Sequence, residues 1–81
     1  MKPTNAKLDK FITRVESFDL PSKDKILELA YRARDLFEKG IDINIPEILK
    51  ELNTVLFLFL TNSESKQVKY EKVKVFLNSL N

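Results

Sequence analysis

Apolar residues recur along the chain at the three- and four-residue spacing of a helix, in four segments separated by short punctuation. In the first, Leu8, Phe11, Ile12, Val15 and Phe18 fall on one stripe, while Lys10, Thr13, Arg14 and Ser17 lie away from it. Thr4 or Asn5 can cap its start, and Pro21 stops it. Ser22 is the expected cap of the second segment, with Asp24 in its first turn. Ile26, Leu29, Ala30, Ala33, Leu36 and Phe37 form its apolar face, and Lys39-Gly40 is the signature of a helix end. Pro46 suits the first turn of a third helix, with Asn44 a better cap than Ile45. Asn62 and Ser63 break that helix, and Ser63 or Ser65 can cap a fourth, whose face is Tyr70, Val73, Phe76, Leu77 and Leu80.

The pattern predicts helices over about 5–18, 23–39, 46–61 and 64–80 in a single domain spanning 1–81. Short connections make sequential helices antiparallel neighbours, so the expected fold is an all-α, antiparallel up-down four-helix bundle. The alternation in QVKYEKVKV also fits a strand, but no other segment offers a pairing partner. Residues before Thr4 and the last one or two are expected to fray.

The run TVLFLFLTN, Thr54 to Asn62, strains this scheme. Ile48, Leu49, Leu52, Val55, Leu56 and Phe59 define an inward face, with Leu60 at its edge, and Phe57 and Leu58 fall well outside it. Two readings are open. A third helix touched by two or three neighbours would be buried nearly all round at its C-terminal half. Alternatively, Phe57 and Leu58 belong to an exposed patch that docks a partner. Leu27 with Tyr31, and Val68 with Val75, repeat the ambiguity on the second and fourth helices.

Composition narrows the chemistry. The absence of cysteine rules out disulfides and thiolate catalysis and fits a reducing cytosol, and the absence of histidine removes the commonest general base and metal ligand. One glycine argues against phosphate-cradling loops. Glu47 and Glu51 sit one turn apart, an ordinary polar face rather than a metal site, so neither an enzyme nor a cofactor is expected. The longest apolar run is far short of the roughly 20 residues a spanning helix needs, and MKPTNAKLDK lacks the apolar stretch of a signal peptide. Net charge is +2; residues 1–39 hold nine basic and seven acidic groups, which reads as a solvated mix. The last twenty residues carry Lys66, Lys69, Lys72 and Lys74 against Glu64 and Glu71. A DNA-reading helix over Pro46–Asn53 would turn Glu47 and Glu51 toward phosphate, so no nucleic-acid partner is expected.

From Ile26 onward, ILELAYRARDLFEKG, IPEILKELNTVLFLFLTN and KYEKVKVFLNSL follow in an order that resembles the immunity proteins of class IIa, pediocin-like bacteriocins, particularly the enterocin A immunity group. The resemblance stops at Leu80 and does not include the recognition tail with which members usually continue. It implies a cytosolic four-helix bundle that protects a Gram-positive cell from a pore-forming peptide. Such proteins act at the inner membrane face on the bacteriocin-engaged receptor, the sugar-transporting mannose phosphotransferase permease. Specificity in that family is attributed mainly to the C-terminal half. Here that maps onto Phe57, Leu58, Lys66, Val68, Lys69, Lys72, Lys74 and Val75 as partner-binding candidates. Two other readings need only part of this: a self-associating adaptor bundle, and a small DNA-binding regulator.

Overall fold

A computed structural model describes residues 3–80; the expected fraying at Met1, Lys2 and Asn81 lies outside them. Four helices form, α1 (Ala6–Glu16), α2 (Lys23–Glu38), α3 (Ile45–Leu60) and α4 (Lys66–Asn78), with no strand among the described residues. They build the four-helix bundle that the periodicity predicts. α1 and α4 each pack on α2 and α3, α2 packs on α3, and α1 and α4 lie diagonally apart without packing on each other. α2 and α3 therefore form the shared diagonal, each touched by three neighbours.

The core follows from this arrangement. Leu8, Phe11, Ile12 and Val15 of α1 meet Ile26, Leu29, Ala30, Ala33 and Leu36 of α2. Ile48, Leu52, Val55, Leu56 and Phe59 of α3 and Tyr70, Val73 and Leu77 of α4 complete it. Leu27 is buried as well, although it lies off the apolar stripe, and Ile45, the first residue of α3, extends that helix's inward stripe by one turn. A helix with three neighbours hides a wider arc than the stripe alone.

The helix ends show which capping expectations hold. Asn5 and Asn44 are extended, and each side chain accepts an amide hydrogen bond, from Leu8 and Glu47, at 3.1 Å. Ser22 and Ser65 occupy the corresponding positions of α2 and α4 but cap nothing with their hydroxyls. Their backbones are already close to helical (ψ of 11° and 0°), which turns the Oγ away from the first-turn amides. Ser63 instead accepts from the Ser65 amide at 3.3 Å.

α2 and α3 terminate alike. Gly40, at φ 79°, donates to Phe37 O, and Ile41 reaches back to Leu36 O. Asn62, at φ 52°, donates to Phe59 O, and Ser63 reaches Leu58 O. Both ends are Schellman motifs, with glycine in one and asparagine in the other taking the left-handed residue. α1 ends two residues earlier than its stripe suggests, because Phe18 folds back onto Val15 O and packs half-buried on the core from the connecting turn.

Candidate interaction surface

α4 is where local pattern and tertiary packing conflict. As a strand, its alternation would place Val68 and Tyr70 on one side and Val73 and Val75 on the other. Wound as a helix, the same residues regroup. Tyr70 and Val73 turn into the core, while Val68 and Val75 face solvent at 57% and 67% exposure. Lys72 lies between them, one turn from each, and forms no ion pair or hydrogen bond among the described residues. Phe76, expected inward, is more than a third exposed because it sits at the α3-facing edge of α4 rather than at its centre. Leu80, expected on the same face, is half-buried beyond the helix end.

On α3 the all-round burial of the apolar run is not found. Phe57 is 63% exposed, Leu60 is 53% exposed, and Leu58 is half-buried. α3 does have three neighbours, but α1 has 11 residues against its 16. Arg14 donates to Asn53 Oδ1 at 2.9 Å, which sets the last turn of α1 level with Asn53. One and two turns later, Phe57 and Leu60 have run past the end of α1 and lose their cover. Leu58 lies on the other flank, a heptad beyond Glu51, where α4 begins to shield it.

The lysines predicted to rim this surface are mostly committed inside the bundle. Lys69 pairs with Glu51 at 2.6 Å and ties α4 to α3. Lys74 lies 3.8 Å from Glu28 and 5.7 Å from the Tyr70 ring centre, so it serves the α2–α4 seam. Lys66 bonds the Asn62 side chain and stands 5.9 Å from the Phe59 ring. Lys72 alone of the four stays unpaired. The surface of the C-terminal half is therefore more apolar and less cationic than the sequence count suggests.

The structure adds a groove between α3 and α4 of about 230 Å³, lined by Glu47, Glu51, Lys72, Val73 and Phe76. Val68 and Val75 flank its α4 wall, so this groove joins them to Phe76 and Lys72 in one surface. Phe57 stands on the opposite flank of α3 and is not part of it. Phe76 and Glu47 were legible only as core and polar face, since neither shows in one dimension that a groove separates their helices. Leu27 and Tyr31 also separate: Leu27 is buried, and Tyr31 is exposed with its hydroxyl donating to Glu16 Oε2 at 2.7 Å.

Tyr70 fixes the outer face of α4 in position. Its ring is buried, Lys25 and Lys74 stand over it, and its hydroxyl donates to the Glu28 carboxylate. That hydrogen bond, then burial and the nearby negative charge, push its pKa up to about 12. A raised tyrosine pKa holds the proton longer in the folded state, so the contribution is intact below about pH 10 and is lost as pH climbs from there toward 12. Glu28 is half-exposed, which screens the pair, and the loss is expected to be about 1 kcal/mol. Urea unfolding at pH 9 and pH 11.5 should show the wild type losing that much more stability than Tyr70→Phe. Equal slopes in the two proteins would refute the assignment.

No family model matches the chain, and neither a curated protein nor a solved structure does. No helix among the described residues is long and apolar enough to cross a membrane.

Proposed function

We propose that the protein is a bacteriocin immunity protein that protects a cell against a pediocin-like peptide by binding the bacteriocin-engaged sugar permease from the cytosolic side. The observation that carries this reading is the apolar outer face of α4, Val68 and Val75 with Phe76 at the α3–α4 groove. It lies in the C-terminal half, where the resemblance puts specificity, on a bundle of the architecture the resemblance implies. Anchored by Tyr70–Glu28 and Lys69–Glu51, α4 offers these side chains pre-ordered, which lowers the entropy cost of docking a partner. Binding is the whole mechanism in this reading; no covalent step is required. Leu58 and Lys72 border the surface, whereas Phe57 belongs to a different flank.

Expression in a bacteriocin-sensitive strain tests it. Survival should rise against at least one peptide of a pediocin-like panel, and unchanged killing across the panel would sink the proposal.

A further inference from the structure

The basic residues of α1 are sorted by flank. Lys7, Lys10 and Arg14 share the side facing α3, within roughly 60° of one another, whereas Asp9 and Glu16 fall on the side facing α2. Between α1 and α3 runs a groove of about 240 Å³ lined by Lys7, Lys10, Phe11, Arg14, Leu49 and Asn53, without a carboxylate. Lys50, exposed on α3, stands one turn before Asn53. All four salt bridges among the described residues lie elsewhere, on α2 and on the seams of α4. The cations of the α1–α3 flank therefore have no ion-pair partner among the described residues. Beside it, where α3 outruns α1, stand the exposed Phe57 and Leu60.

We propose that this flank docks the protein on an anionic lipid surface. Lys7, Lys10, Arg14 and Lys50 would meet headgroup phosphates while Phe57 and Leu60 sink into the interface. The choice of occupant follows from the two components together. Nucleic acid or a free anion needs the cations alone, while an anionic bilayer uses cations and an adjoining apolar wedge at once. The lysines are free to spread over a fluid headgroup layer. Arg14, held by Asn53 and 5.5 Å from the Phe11 ring, keeps one charge fixed at the groove. This inference does not rest on the immunity reading: it concerns the opposite flank of α3, and either can fail alone.

Sedimentation with vesicles tests it. The full chain should bind vesicles of phosphatidylglycerol in phosphatidylcholine at about 0.1 M salt, and release as salt is raised. Lys7→Gln with Lys10→Gln should weaken binding roughly tenfold or more, and Phe57→Ser with Leu60→Ser should weaken it severalfold. All four residues are exposed, so unchanged thermal melts will separate lost binding from lost fold. Lys39→Gln with Lys72→Gln removes the same charge elsewhere and should leave binding nearly intact. Absence of binding to the anionic vesicles, equal binding to phosphatidylcholine alone, or an equal loss in that control overturns the proposal. So does full competition by inorganic phosphate, which would make the groove a simple anion site. Retention on duplex DNA without vesicle binding, abolished by the Lys7/Lys10 change, would overturn it in favour of nucleic acid.

Discussion

Leu52→Ala is expected to destabilise the protein by about 3–5 kcal/mol, the range for truncating a fully buried leucine. Leu52 has no exposed surface and sits mid-way along α3, the helix that α1, α2 and α4 all touch, so the void it leaves has walls on every side. A chain of 81 residues has roughly 4–12 kcal/mol in total, so the variant should be unfolded in large part or melt well over 10 °C lower. The same truncation two turns later, Leu60→Ala, removes an exposed side chain and should cost within about 0.5 kcal/mol. Urea titrations followed by circular dichroism give both values. A Leu52→Ala loss below about 1 kcal/mol would mean that α3 is not the shared centre of the core.

The second large effect is functional. Val68→Glu with Val75→Glu should leave the fold intact, because both side chains face solvent and glutamate is the better helix former. Protection in the sensitive strain should nevertheless be lost. Two charges introduced into an apolar docking face desolvate badly, and interface residues of this kind cost about 2 kcal/mol or more, roughly thirtyfold in affinity. Folded double variant with full protection would remove α4's outer face from the mechanism, while leaving immunity itself to the survival assay.

The inward faces were readable because helical period and burial agree there. From Leu8 through Val15, Ile26 through Leu36 and Ile48 through Phe59, the apolar stripe is also the buried stripe, except at Leu49, which is half-buried beside the α1–α3 groove. Legibility ends where burial depends on which neighbour is present and how far it extends. Leu60 counts as an edge-of-core residue on its own helix and is exposed only because α1 is short. Leu27 counts as off-face and is buried because α2 is shared by three helices. The candidate lysines show the same limit for charge: Lys66, Lys69 and Lys74 are indistinguishable from Lys72 in sequence until their partners on α2, α3 and the α3–α4 turn come within reach. The near-even mix of charges over residues 1–39 hid the opposite situation, since a linear count averages the two flanks of α1 into near-balance.

The diagonal placement of α1 and α4 has an energetic corollary. Outward-facing residues on two helices that share no contact have no common neighbour to couple them, so such substitutions on one should add to those on the other within a few tenths of a kcal/mol. The cationic flank of α1 and the valine face of α4 can then drift independently under selection. One bundle could hold its attachment constant while its choice of partner changes, or the reverse, with α2 and α3 carrying the fold through both.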